Sequence, residues 1–168
     1  MNLTEAAQYA KERVNERPAA QGRLAGKLAV VTGGAQGFGL GIARQLIAEG
    51  ATVVLADLNE AQAKEAAKEF EGRAFGLPVD VSDAASCENM VAQAVEAMGG
   101  IDLFISNAGV LKAGGLDELT PAQFEFVTKV DYTGYFNCVR AVAVVMRDRK
   151  STRLNSSHPT TSRMPSSA

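Results

Sequence analysis

Residues 32–39 read Thr32-Gly33-Gly34-Ala35-Gln36-Gly37-Phe38-Gly39, between the apolar stretch LAVV and a helix-forming segment. A strand, then glycines, then a helix is the setting for a dinucleotide pyrophosphate. Glycine permits positive φ and lets backbone approach a ligand closely. The helix N-terminus offers free N–H groups and its dipole to the anion. The spacing is not Gly-x-Gly-x-x-Gly, since Ile42 stands third after Gly37 and Gly39. It is Thr-Gly-x-x-x-Gly-x-Gly. A plain tight turn is the competing reading of the glycines alone. Asp57 ends the next β-rich run, 18 residues beyond Gly39. A carboxylate there accepts hydrogen bonds from both ribose hydroxyls of NAD and repels a 2′-phosphate. Neither Gln36 nor Leu58 is basic to attract that phosphate. NAD is therefore expected over NADP. A role for Asp57 in capping the following helix is compatible with this.

These groups must be positioned by the elements around them. Apolar β-rich runs lie at Leu28–Val31, Thr52–Ala56, Ala74–Val79 and Leu103–Ser106. Their nearly unbroken apolar character suits strands buried on both faces. Between and after them, Gly39–Glu49, Asn59–Phe70, Ser82–Met98 and Pro121–Arg147 are rich in helix formers. Glu49-Gly50, Glu71-Gly72 and Gly99-Gly100 read as helix C-caps, and Ser82 as an N-cap. The alternation predicts an α/β fold: a doubly wound parallel sheet, incomplete, with about four strands and their helices. Residues 1–26 are expected to be an extension or interdomain linker. They include a short helix capped by Thr4 and running through Val14, with a weak stripe of Ala6, Tyr9, Ala10 and Val14.

Residues 148–168 break the rhythm, with six serines, three threonines and two prolines and no apolar period. The stretch DRKSTRLNSSH is similar to the translation of a widely used sequencing adapter. Ser162–Ala168 match the adapter's continuation beyond its index bases. The expectation is a non-native, disordered tail. Without it the body carries 13 basic and 18 acidic residues and loses the sole histidine, His158.

Three more segments complete a resemblance to the short-chain dehydrogenase/reductase family, over residues 27–147. Asp80-Val81 follows the third strand, where the family places an Asp contact to the adenine amino group. Ser106-Asn107-Ala108-Gly109 ends the fourth strand and is similar to the family's Asn-Asn-Ala-Gly. Val130-Asp131-Tyr132-Thr133-Gly134 resembles Val-Asn-x-x-Gly inside the long helix. Taken alone, Asp80 also fits a helix cap and Asn107 a strand-end turn. The resemblance implies a Rossmann domain with cofactor contacts at Thr32, Gly33, Gln36, Gly37, Phe38, Gly39, Asp57, Leu58, Asp80, Val81, Asn107, Ala108, Gly109 and Val130. Asp131 stands where the family has an Asn that supports a proton-relay water through its backbone carbonyl and a helical distortion. The Asp adds a charge near the nicotinamide.

The resemblance also implies hydride transfer between nicotinamide and a small-molecule secondary alcohol or ketone, with a Tyr-x-x-x-Lys pair and a Ser doing the proton chemistry. The stretches SNAGVLKAGGL and FVTKVDYTGYF are most similar to sorbitol-6-phosphate and related sugar-alcohol dehydrogenases. The residues four beyond Tyr9, Tyr132 and Tyr135 are Arg13, Phe136 and Val139, so no such pair is present. The expectation is the N-terminal half of an NAD-dependent enzyme, itself inactive and poorly folded. The intact parent is expected as a homodimer or homotetramer. A non-catalytic dinucleotide-binding module is the alternative, and a 3-oxoacyl-thioester reductase the second enzyme reading.

Composition narrows the rest. A net charge of −2 gives no electrostatic reason for a nucleic-acid partner. No apolar run reaches the roughly 18–20 residues of a membrane span, and no secretory signal core is present. Cys87 and Cys138 lack metal-binding spacing and are expected as two reduced thiols packed near helices. A cytoplasmic protein without a metal is expected.

Overall fold

The computed structural model describes residues 1–115 and 117–148. The expected tail lies outside the described residues from 149 onward, as does Leu116 of the SNAGVLKAGGL stretch. Four parallel strands, β1 (Leu28–Thr32), β2 (Thr52–Asp57), β3 (Ala74–Pro78) and β4 (Leu103–Ile105), form one sheet in the order β3-β2-β1-β4. In register, Val30 stands between Val54 of β2 and Phe104 of β4. The chain builds outward from β1 to β3 and then crosses back to the other side of β1. The order therefore reverses between β1 and β4, and a crevice opens beyond the carboxyl ends of those strands.

Alternation along β1 and β2 divides the core in two. Leu28, Val30, Val54 and Ala56 point to one face. Ala29, Val31, Val53 and Leu55 point to the other. All eight are fully buried, and full burial of a Leu or Val side chain contributes about 1.5–3 kcal/mol. The second face is closed by α2 (Gly37–Ala48) and α3 (Glu60–Ala67). The first is closed by α4 (Ala84–Met98), by α6 (Gly134–Asp148) and by α1 (Leu3–Glu12), which packs against both.

Within residues 1–26, α1 packs into the first core. Ala6, Ala7 and Ala10 are buried in the first core. Asn2, not Thr4, caps the helix, because its side chain accepts from the Glu5 N–H while Glu5 reaches back to the Asn2 N–H. The helix stops at Glu12, short of Val14. Downstream, the Arg17 guanidinium grips the buried carboxylate of Asp102 through two hydrogen bonds of 2.7 and 3.1 Å. Asp102 also accepts from the Leu28 N–H, so it ties the starts of β1 and β4 to this segment. An alanine stripe presents little apolar area, so its sequence signal was weak although its burial is complete.

Two other boundaries depart from the sequence pattern. Asp83, not Ser82, caps α4, its carboxylate accepting from the Ala85 N–H. The expected single helix Pro121–Arg147 is instead α5 (Pro121–Val127), a π-helical stretch over Thr128–Thr133, and α6. Wide turns of this kind concentrate at functional sites. Glycines at the C-caps behave as expected, with φ of +95° at Gly50 and +85° at Gly99.

Candidate functional site

The crevice takes its shape from the carboxyl ends of three strands and the loops beyond them. After Thr32 the chain turns through Gly33 (φ +63°) and Gly37 (φ +54°) into α2. A Cβ on Gly39 would stand 2.0 Å from the Gly33 carbonyl oxygen, so only glycine lets the turn fold back on itself. The Gly34 N–H donates to the Ala56 carbonyl and the Ala35 N–H to a carboxylate oxygen of Asp57. The other Asp57 oxygen accepts from the Asn59 N–H. Asp57 therefore locks the turn to the end of β2 and lines the crevice beside it. Among the described residues nothing accepts from the N–H groups of Gly37, Phe38 and Gly39. They are the open donors of a helix N-terminus.

On the other side, Thr32 and Asn107 join β1 to the loop after β4. The buried Thr32 hydroxyl oxygen accepts from the N–H groups of Asn107 and Ala108, each at 3.1 Å. The Asn107 amide donates back to the carbonyls of Thr32 and Gly33 at 3.0 and 3.2 Å. Asp131 accepts from the Val110 N–H at 2.8 Å, fastening the same loop to the π-helical stretch. The third wall is Asp80-Val81. Asp80 accepts from the Ser82 N–H, and the Val81 carbonyl accepts from the Asn137 amide at 3.1 Å. Gly134 admits this wall, since a Cβ there would lie 2.8 Å from Val81 Cγ2.

These walls enclose a cleft of about 340 Å³. It gathers Gly33, Gln36, Asp57, Leu58, Asp80, Val81, Asn107, Ala108, Gly109 and Val130 of the sequence-derived set. Thr32 lies beneath it as a strut, and Gly37, Phe38 and Gly39 form the rim of the turn. Asp131 stands behind Gly109 and Val110, and its side chain positions that loop. The cleft also includes Val79, Ser82, Val110 and Phe126, which the sequence reading did not select. Val79 and Val110 adjoin selected residues. Phe126 carried no signal, because a helix is needed to swing it across the opening. A larger hollow of about 630 Å³ lies at the amino ends of the strands, bordered by Ala19, Ala20, Gln21, Ile47, Ala48 and Arg73. It gathers one cation and no turn of open N–H groups, so the smaller cleft is the candidate site. Among the described residues no cluster of His, Cys, Asp or Glu fits a metal ion, and no helix is long and apolar enough to cross a membrane.

Comparison with known proteins places the same stretch in a family. Residues 27–157 match the model described as short chain dehydrogenase. Among curated relatives, an uncharacterized oxidoreductase of Mycobacterium bovis is 40% identical over 129 residues, 76% of this chain and 52% of that protein. Three solved structures superpose well. Sorbitol-6-phosphate 2-dehydrogenase from Erwinia amylovora has a TM-score of 0.69 at 36% identity, over 71% of this chain and 49% of that one. A short chain dehydrogenase from Burkholderia cenocepacia in complex with NADP gives 0.68 at 35%, over 72% and 51%. A 3-ketoacyl-(acyl-carrier-protein) reductase from Brucella melitensis complexed with NADH gives 0.65 at 32%, over 70% and 49%. The chain spans about half the length of the curated relatives it matches.

Proposed function

The chain belongs to the short chain dehydrogenase family, and on that premise we propose that its cleft binds a nicotinamide dinucleotide, NAD in preference to NADP. The residues present fit the group. The open N–H groups at Gly37–Gly39 suit a pyrophosphate. The cradle excludes a Cβ at Gly39, and Asp80 offers a carboxylate at the far wall. The observation that carries the NAD preference is Asp57. Its carboxylate is fixed at the edge of the turn and lines the cleft, with uncharged Gln36 and Leu58 as neighbours. Ribose hydroxyls donate to such a carboxylate, whereas a 2′-phosphate is repelled by it.

When bound, the nicotinamide supplies or accepts a hydride. The chain's own residues hold the wall that would face it: Asn107 and Thr32 hold the loop carrying Ala108 and Gly109, and Asp131 holds Val110. The reaction proposed for the whole protein is hydride transfer with a secondary alcohol or ketone. Similarity to the Erwinia sorbitol-6-phosphate 2-dehydrogenase supports a sugar alcohol or its phosphate as substrate. The proposed dinucleotide domain is residues 27–147. A homo-oligomer of the whole protein is supported by the exposed Phe124, Tyr132, Tyr135 and Phe136 on α5, the π-helical stretch and α6.

Titration of the 168-residue chain with NADH and NADPH tests the central claim. NADH is expected to bind at least about tenfold more tightly, a difference near 1.4 kcal/mol. In Asp57→Asn the gap is expected to shrink most of the way to parity. Equal or tighter NADPH binding by the unaltered chain would overturn the preference.

A further inference from the structure

The core holds two nucleophilic side chains that the dinucleotide reading leaves unused. Cys87, in α4, and Cys138, in α6, are 51 residues apart in sequence, fully buried and free. Their Sγ atoms are 3.5 Å apart, so a thiol hydrogen of one points at the other. The pair lies directly behind the Asp80-Val81 wall of the cleft. Cys87 Sγ is 3.5 Å from the Val81 carbonyl oxygen and 3.8 Å from that of Asp80. The same Val81 carbonyl accepts from Asn137, the residue before Cys138.

We propose that Cys87 and Cys138 form an oxidisable pair that closes to an intramolecular disulfide when the protein meets a hydroperoxide, linking α4 to α6 behind the cleft wall. The two sulfurs need to approach by about 1.5 Å to reach bonding distance. Cys138 is the attacking sulfur. The hydrogen bond from Cys87 favours its thiolate and holds its pKa below the ordinary thiol value. The same contact, with burial, raises that of Cys87. The Cys138 thiolate attacks one peroxide oxygen, the O–O bond breaks, and the leaving hydroxide takes a proton to become water. Cys87 then attacks the resulting sulfenic sulfur, an S–S bond forms, and its proton leaves with the displaced hydroxide as a second water. Two thiols are oxidised by two electrons, and one peroxide is reduced. Closure replaces the Cys87 thiol, 3.5 Å from the Val81 carbonyl of the cleft wall, with a sulfur that carries no hydrogen. Its effect on the cleft rests on the dinucleotide reading, whereas the disulfide does not.

The test uses the reduced 168-residue chain and hydrogen peroxide at a few equivalents, followed by a non-reducing tryptic map. The expected product is Ala74–Lys112 joined to Val130–Arg140, two hydrogens lighter than the separate peptides and released by reductant. The link is expected to form much more slowly in denaturing urea, where the two helices no longer bring the sulfurs together. NADH binding is expected to weaken about two- to fivefold on closure, the scale of one modest hydrogen bond. In Cys87→Ser, dimedone is expected to trap a sulfenic acid on Cys138. Faster trapping on Cys87 in Cys138→Ser would overturn the assignment of the attacking sulfur. Full alkylation of both thiols after peroxide, separate sulfinic acids, or an undiminished rate in urea would each overturn the pair. A link that leaves NADH affinity unchanged would overturn its coupling to the cleft. A reduced chain that binds no NADH would instead sink the dinucleotide reading and leave the disulfide result standing.

Discussion

The two sides of the crevice are built differently. On the β1–β2 side every residue of β1 is buried, and the glycine turn is tied to β2 by Gly34, Ala35 and Asp57. On the β4 side the strand has three residues, all half-buried, and the helices beyond it expose Phe124, Tyr132, Tyr135 and Phe136. β1 lies between two strands and two helical layers, whereas β4 is the end of the described sheet. Burial therefore orders the first side from within, while the second is held by a few specific polar struts. A side held by packing tolerates loss of a surface group. A side held by struts depends on each one.

The largest expected effect tests the first side at its tightest point. Gly39→Ala should destabilise the chain by about 3 kcal/mol or more, because the new methyl meets the Gly33 backbone carbonyl at 2.0 Å as well as the Asn107 amide nitrogen at 2.6 Å. Urea unfolding would show this, together with loss of NADH binding. A change below about 1 kcal/mol would mean the turn is far softer than its geometry indicates. Next comes the strut between the sides. Thr32→Val keeps the volume but leaves the Asn107 and Ala108 N–H groups without their acceptor. Roughly 2–4 kcal/mol should be lost by the same measurement, with faster amide exchange at both N–H groups. An unchanged exchange rate would show that the strut does not join the two sides.

Asp131 sharpens the contrast at lower energy. Asp131→Ala should cost about 0.5–1 kcal/mol through the freed Val110 N–H, which lies near solvent. Asp131→Asn keeps an acceptor oxygen and should fall close to the unaltered chain in thermal unfolding. Equal losses in both variants would assign the effect to charge instead of the hydrogen bond. The smallest stability change is expected at Tyr135→Ser on the exposed face, within about 0.5 kcal/mol. The same substitution should reduce self-association in sedimentation at raised concentration. A large stability loss would show that this face is already partnered within the chain.

The first side of the crevice was also the more legible in sequence. Its strand runs, glycine spacing and Asp57 are local patterns, and β1 and β2 differ from the expected spans by one residue each. The second side was read from residues whose meaning depends on distant partners. Asn107 and Asp131 were selected, but their work as struts involves Thr32, 75 residues away, and Val110, 21 residues away. Phe126 was missed because no periodicity in α5 distinguishes a residue over a cleft from one in solvent.

The sequence by itself determined the parallel α/β alternation, the phosphate-type turn and the acidic end of β2. Each depends on local backbone preference and on apolar runs that are buried wherever the chain folds. Tertiary structure alone decided that α1 joins the core, that the long helix widens at Thr128–Thr133, and that Cys87 meets Cys138 behind the cleft. Alanine stripes, helix register and pairs of distant thiols carry little local free energy. They acquire their roles only when the sheet brings separate helices onto one face.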